Sequence, residues 1–491
     1  MDTKSNTVKS ILTVIILLIT LLVTQGYFRF KNLGYSSFSV DEVNVMLPFK
    51  NKDAILDQDF LDKNKKGPIQ FFIPKMMGLA GAGIYDEYAH RLPFAIAGIL
   101  SIVVLFFIVL ELTKSAGAAF ISASLFGVNG LIVALTRIVQ YQSLNMLFSL
   151  LALLFFIYYR KTQKVKFAIT GGFLFSISFL THWDAILFIP ILAWLLLCKK
   201  NLKHIITTGL TILMLCSSYA IPFYIHMRGS PDKQSYFSNR IGTSTSNMEE
   251  RITKLRFTYE LYNPFVSIYV LLIVTALCIV LIKKYPEYLL WHVLVILFYI
   301  FLVRSAGTHI YNVLISSYIC LGLLLGMFQK ALPRILSFLP IIPFLPVLVF
   351  FMHQSNILFI NNKREYPWET EKITEKYITK KFKASDIPNY KLGFTYFRDY
   401  ELVRSELEKR FPDYNSYTFV TNDYKGVLRY YLDLNHKATN KMFVIGVKNP
   451  FTFVTDYRFG QYRKSALFNV RNDYGHTVMK VYKGQLKEKN K

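Results

Sequence analysis

Residues 92–112 read LPFAIAGILSIVVLFFIVLEL, an apolar run with one carboxylate, Glu111, near its end, Arg91 just before it and Lys114 just after. Crossing the hydrocarbon of a bilayer takes roughly 20 such residues in a helix. A run of this length without a charge in its interior reads as a membrane span. The same reading along the chain finds about eleven candidates: 9–28, 92–112, 116–135, 143–159, 166–181, 184–198, 204–225, 265–282, 288–303, 310–327 and 335–352. The segment 184–198 follows 166–181 so closely that the two read as a helical hairpin. Composition agrees. Of 491 residues, 53% are hydrophobic, 16% aromatic and only 18% charged, and the mean hydropathy is +0.32, more apolar than ordinary soluble domains. The expected fold class is a polytopic α-helical membrane protein.

Lysine and arginine in short loops set orientation. With the N-terminus inside, the inner face receives Lys4, Lys9, Lys114, Arg160, Lys161, Lys164, Lys166, Lys199, Lys200, Lys203, Lys283, Lys284, Lys330 and Arg334, while the short outer loops hold only Arg137 and Arg304. An odd number of spans places the C-terminal region outside, together with two long loops, 29–90 and 226–264. The first apolar run has signal-like length from Ile11 to Val23, but Thr24, Gln25, Gly26 and Tyr27 give no small-x-small cleavage pattern, so an uncleaved helix is expected. The expected location is the plasma membrane with a cytoplasmic N-terminus. All four cysteines, Cys198, Cys216, Cys278 and Cys320, fall within or at the ends of apolar spans, and no disulfide framework is implied.

The chain thus divides into a membrane domain, 1–352, and an exported region, 353–491. In the latter, helix-like YELVRSELEKRF (400–411) precedes strand-like SYTFVT (416–421), then helix-like YKGVLRYYLDL (424–434) and strand-like KMFVIGV (441–447). That alternation reads as a small α/β domain. This region carries 26 Lys and Arg against 15 Asp and Glu, +11 of the net charge of +26, and a basic surface outside the cell suits anionic headgroups or an anionic substrate; no nucleic-acid partner is expected.

The interiors of the spans are almost free of ionisable residues, which disfavours a proton-coupled transporter. Polar groups collect instead at the outer helix ends: Asp41 and Glu42, KNKKGP (63–68), DEYAHR (86–91), TRIVQYQS (136–143), THWD (181–184), SNRIG (238–242) and RSAGTHIYN (304–312). The pattern describes a site at the outer membrane face. His182, Asp184 and His309 are candidates for hydrogen bonding to substrate, and a divalent metal is the one cofactor such residues suggest, although His-x-Asp alone supplies at most two ligands.

The acidic pair after the first helix, KGPIQFF, HRLPFAIAGIL at the second helix and FLTHWDAILFIP between two later ones resemble the polyprenyl-phosphate-dependent glycosyltransferases of the GT-C superfamily. Within it, the chain resembles the group of protein O-mannosyltransferases and aminoarabinose transferases, family 39. The resemblance implies transfer of a sugar from a polyprenyl-phosphate donor to an acceptor hydroxyl on a lipid, glycan or protein, generally with inversion. It implies Asp41 as general base, Glu42 assisting or holding it, and cations at the leaving phosphate; Lys66, Arg91, Arg137 and Arg240 are the candidates, with Lys65 beside them. Gln142, His182, Asp184 and His309 would bind substrate. Two positions depart from the family: Lys66-Gly67 stands where relatives have Glu-Lys, and Gln142 stands where relatives often carry an acid. A polysaccharide ligase or polymerase, a multispan transporter and a non-catalytic scaffold are the alternatives.

Overall fold

The computed structural model describes residues 2–50, 66–229, 273–303, 307–360, 399–421, 425–432, 441–447, 466–471, 475 and 477–485. Every predicted span is represented among them by helix. Six helices are long and apolar enough to cross a membrane: Ile11–Phe30, Glu87–Thr113, Gln142–Thr162, Leu202–Arg228, Gly307–Ala331 and Leu339–Asn356. The remaining five are the shorter apolar helices Ala116–Val128, Val165–Thr181, Trp183–Leu197, Ile273–Lys283 and Pro286–Leu302. The chain is a helical integral membrane protein with a small sheet in its C-terminal region.

The helices that position the site are α1 (Asp2–Phe30), α2 (Val40–Lys50), α3 (Ile69–Leu79), α4 (Glu87–Thr113), α5 (Ala116–Val128), α6 (Gly130–Leu135), α7 (Gln142–Thr162) and α8 (Val165–Thr181). After a 3₁₀ turn, Trp183–Phe188, come α9 (Ile189–Leu197) and α10 (Leu202–Arg228), then α11 (Pro286–Leu297), α12 (Tyr311–Ala331) and α13 (Phe344–Phe359). The last runs beyond residue 352, where the sequence placed its end.

Helix α12 is buried almost throughout, whereas α1 and α10 expose apolar side chains such as Ile15, Val23, Leu213 and Met214. In a bilayer the first is central and the other two face lipid. Burial in lipid gains little from apolarity alone, so close helix contact depends on small residues. Gly322 and Gly326 sit four apart on one face of α12: a Cβ on Gly322 would lie 2.6 Å from Val109 of α4, and one on Gly326 2.5 Å from Thr113. One ionisable group inside a span escaped the sequence reading. His292 of α11 is buried, with Nδ1 2.9 Å from Ser316 Oγ and Nε2 3.3 Å from Thr275 Oγ1.

The two ends of the bundle differ. At one end Lys114 and Lys161 pair with Glu111, and Arg160 pairs with Glu287. The other end gathers the C-terminus of α1, the N-termini of α4, α7 and α12, and the C-terminus of α8.

In the C-terminal region, α14 (Tyr400–Arg410) and α15 (Lys425–Leu432) accompany strands β1 (Thr418–Thr421), β2 (Lys441–Val447), β3 (Phe468–Arg471) and β4 (Thr477–Gln485). The sheet order is β1-β2-β4-β3, with β1 parallel to β2 and the other pairs antiparallel. A parallel pair needs a crossover, and α15 supplies it. Tyr430 and Tyr431 of α15 rest on the first loop of the membrane region. Phe38 N–H donates to Tyr431 Oη at 2.7 Å, Tyr431 O–H donates to Glu87 at 2.5 Å, Tyr430 O–H donates to the Ile84 carbonyl, and Tyr400 N–H donates to Ser37 Oγ at 3.0 Å. Tyr85 stacks on Tyr431 at 5.5 Å, and the Arg404 guanidinium lies 4.2 Å over the Tyr85 ring.

Candidate active site

Helix α2 begins at Val40, with Ser39 at its cap and Glu42 three residues on. Glu42 reaches back to accept the Ser39 N–H at 2.8 Å, as the glutamate of a capping box does. Successive residues of a helix are about 100° apart around its axis, so turning Glu42 inward turns Asp41 away. Glu42 is wholly buried, whereas the Asp41 side chain is 48% exposed.

The buried acid meets Arg91, whose Nε and Nη2 donate to its two oxygens at 2.7 and 2.9 Å. Val139 N–H adds a further bond at 2.9 Å. Arg91 Nη1 donates to the carbonyls of Leu33 and Ser36 at 2.9 and 2.7 Å, and Nη2 to that of Ser37 at 3.3 Å. Burial by itself raises the Glu42 pKa, but the Arg91 charge and the donated N–H groups outweigh it and hold the carboxyl below its ordinary value. Arg137 behaves alike: its two Nη groups donate to the carbonyls of Phe28, Arg29, Lys31 and Asn32 at 2.9–3.0 Å, closing the C-terminal end of α1, where carbonyls lack helical partners. Arg91 and Arg137, expected at a donor phosphate, are buried and fasten the first loop. Sequence spacing concealed this because their partners lie 49 to 109 residues away.

Asp41 faces a different set of residues. Lys66 Nζ lies 3.6 Å from Asp41 Oδ1 and 5.9 Å over the ring of Tyr141. Gly67 makes that approach possible: a Cβ there would stand 2.0 Å from the carbonyl oxygen of Leu180 at the end of α8. The Lys66-Gly67-Pro68 segment is therefore pressed against the turn that carries His182.

That turn is pinned by Asn145, which donates to the carbonyls of Ser178 and His182 at 3.0 and 3.2 Å. His182 stacks on Tyr141 at 3.7 Å with an interplanar angle of 9°. Asp184 Oδ1 is 3.1 Å from His182 Nδ1, and Asp184 Oδ2 is 2.9 Å from His309 Nδ1. Tyr141 Oη lies 3.1 Å from the same His309 nitrogen. The His309 carbonyl is held by Tyr299 O–H at 2.7 Å and by Asn312 at 3.0 Å. Burial pushes the His182 imidazole below its ordinary pKa, against the pull of Asp184. Gln142 is buried, its amide N–H₂ 3.5 Å from Thr308 Oγ1.

The structure thus brings Asp41, Lys66, Gln142, His182, Asp184 and His309 to one cluster. Sequence reasoning missed Tyr141, which touches Lys66, His182 and His309; the only signal was its place inside TRIVQYQS. Arg240, Lys65 and Arg304 lie outside the described residues. Among the described residues, His182, Asp184 and His309 form the one group of metal-ligating side chains, with ligand atoms within 4.8 Å of one another.

Residues 67–223 match the family described as dolichyl-phosphate-mannose-protein mannosyltransferase. The fold resembles that of ArnT from Cupriavidus metallidurans bound to undecaprenyl phosphate, with a TM-score of 0.55 and 11% identity over 96% of this chain and 97% of that one. The apo state of the same protein gives a TM-score of 0.53 and 11% identity over 98% of each chain. The Archaeoglobus fulgidus oligosaccharyltransferase in complex with Zn and sulfate gives 0.50 and 12% over 89% of this chain and 62% of that one. No curated protein matches in sequence.

Proposed function

From the premise that this chain has the GT-C glycosyltransferase fold, we propose that it transfers a sugar from a polyprenyl-phosphate donor to an acceptor hydroxyl at the outer face of the plasma membrane. The N-terminus is cytoplasmic and the C-terminal region, from about residue 353, is an extracytoplasmic α/β domain in this reading. The observation that carries it is the Asp41–Lys66 pair at 3.6 Å: a half-exposed carboxylate and a cation side by side, backed by the closed Glu42–Arg91 layer.

Direct displacement at an anomeric carbon needs a base on the incoming hydroxyl and a cation on the departing phosphate. Asp41 takes the proton as the acceptor oxygen forms its bond to carbon. The bond from that carbon to the phosphate oxygen breaks, its electron pair stays on the phosphate, and Lys66 neutralises the developing charge. A single displacement inverts the anomeric centre. An ion pair with one partner in water is weak, so an arriving phosphate competes with Asp41 for the Lys66 ammonium and leaves the carboxylate available as base. Glu42 holds the loop, while Gln142, His182, Asp184 and His309 line the sugar and phosphate side. Arg240, in the loop 226–264, is a further phosphate ligand in this scheme.

The test is Asp41→Asn assayed with a radiolabelled polyprenyl-phosphate sugar and membranes supplying the acceptor. Turnover falls on the order of 10²–10⁴-fold while binding of the lipid donor is retained. Full turnover, or a loss confined to donor affinity, would refute the base.

A further inference from the structure

We infer that the turns joining α7 to α8 and α9 to α10 form a binding surface for the phosphate headgroups of anionic phospholipids. The two turns are neighbours. Tyr159, near the end of α7, has its Oη 3.2 Å from Nδ1 of His204 in the first turn of α10, with the ring centroids 5.7 Å apart. Gly172 lets α8 and α10 pack closely, since a Cβ there would stand 2.9 Å from Thr208. Together the turns carry Lys164, Lys166, Lys199, Lys200 and Lys203, all exposed. From residue 112 to residue 231 the chain holds one acid, Asp184, and it lies at the other end of the bundle.

The same end of the bundle also shows the opposite arrangement. There Lys114 and Lys161 share Glu111, and Arg160 has Glu287. The five lysines of the two turns have no such acid, and helix electrostatics oppose them as well. Lys164 is the N-cap of α8, Lys166 lies in its first turn, Lys203 lies in the first turn of α10, and neither helix has an acid in that turn. A helix N-terminus carries partial positive charge and disfavours cations; α4, α11 and α14 follow the rule with Glu87, Glu287 and Glu401 in their first turns. Lys200 adds backbone strain, because its φ of 52° lies in the left-handed region that glycine adopts more easily. Charges gathered against their own helices are relieved by an anion from outside the chain.

Depth identifies that anion. Helices α7 and α10 are long and apolar enough to cross a membrane, so their ends at Thr162 and Leu202 stand at headgroup level. About one turn further in, α8 exposes Ile169, α9 exposes Leu197 and α10 exposes Ile206, a surface for acyl chains. Lysine stems span the distance from such surroundings to the phosphate layer, and each basic residue near an anionic surface adds attraction. A lipid phosphate with its chains meets both features, whereas a free anion meets one. The inference holds for either leaflet and involves no sugar transfer, so its failure leaves the transfer reading standing.

The experiment titrates delipidated full-length protein in a neutral detergent with phosphatidylglycerol, phosphatidylcholine or soluble glycerol phosphate, and counts bound lipid by native mass spectrometry. The wild type prefers phosphatidylglycerol over phosphatidylcholine roughly tenfold or more, and added salt weakens the preference. Lys200→Gln/Lys203→Gln lowers phosphatidylglycerol affinity on the order of tenfold, with a thermal midpoint in detergent that is unchanged or higher. Lys164→Gln/Lys166→Gln repeats the loss. Lys114→Gln/Lys161→Gln removes as many charges from the neutralised side and keeps the affinity. Equal binding of the two lipids, an equal loss in the Lys114/Lys161 variant, or displacement of phosphatidylglycerol by glycerol phosphate would each overturn the assignment.

Discussion

Asp41 and Glu42 are consecutive residues of one helical turn, yet they belong to opposite kinds of surroundings. Around Glu42 the polar groups are sealed: two N–H bonds from Arg91 and two from the backbone reach a carboxylate with no exposure, and Arg91 extends the network to three loop carbonyls. Around Asp41 the geometry is loose: one cation at 3.6 Å, half its surface in solvent, and a cluster of histidines and an aspartate beyond. The first pattern suits architecture, because a buried ion pair is stable only when every lone pair and proton is met. The second suits chemistry, because groups that must exchange partners cannot be saturated by the fold. An acidic pair in sequence is therefore two residues in two settings.

Removing Glu42 has the largest expected effect. Glu42→Ala leaves the Arg91 charge buried without its carboxylate, a change that costs about 3–5 kcal/mol; the thermal midpoint should fall sharply, and activity should follow the folded fraction. Since the Glu42 pKa is lowered in the fold, its contribution is complete above the ordinary glutamate value of about 4.3 and is lost as pH falls through the lowered value. A midpoint that already declines between pH 7 and 5 on account of this group would contradict the sealed layer.

Lys66→Ala comes next. Losing a cation at developing negative charge lowers turnover roughly 10²–10³-fold, with the midpoint unchanged because Asp41 is solvated. Lys66→Arg should recover part of the rate. If Lys66→Ala instead melts the protein, the Asp41–Lys66 pair is as architectural as the layer behind it.

The smallest effect sharpens the boundary between the membrane region and α15. Tyr431→Phe removes the hydroxyl that accepts from Phe38 N–H and donates to Glu87, at a cost of about 1–3 kcal/mol. Limited proteolysis should cut the C-terminal region faster, while the ratio of turnover in Asp41→Asn to that in its parent background stays the same. A changed ratio would mean that the docked region acts on the base directly.

The two kinds of surroundings were unequally legible in the sequence. The spans were readable because each needs a long apolar run, and KMFVIGV coincides with β2 (Lys441–Val447). Strands β3 and β4 carried no comparable signal: β3 is four residues long, and β4 interleaves lysines at 480 and 483. Asp41, His182, Asp184 and His309 drew attention because a polar residue at a helix end stands out against apolar neighbours. Arg91 and Arg137 stood out for the same reason, but a single sequence gives charge and depth and not the loop partners they bond. Gly67 looked like a loop glycine; its need is the 2.0 Å approach to Leu180, which only the fold reveals.

Whether the neighbouring acids divide into base and fastener is decided by kcat and Tm of Asp41→Asn and Glu42→Gln, measured side by side in the same detergent. The expected result is crossed: Asp41→Asn keeps the wild-type Tm and loses turnover, whereas Glu42→Gln lowers Tm and, assayed well below its own midpoint, retains much of its turnover per folded molecule. Asp41→Asn that melts early, or Glu42→Gln that stays fully folded and inactive, would contradict it.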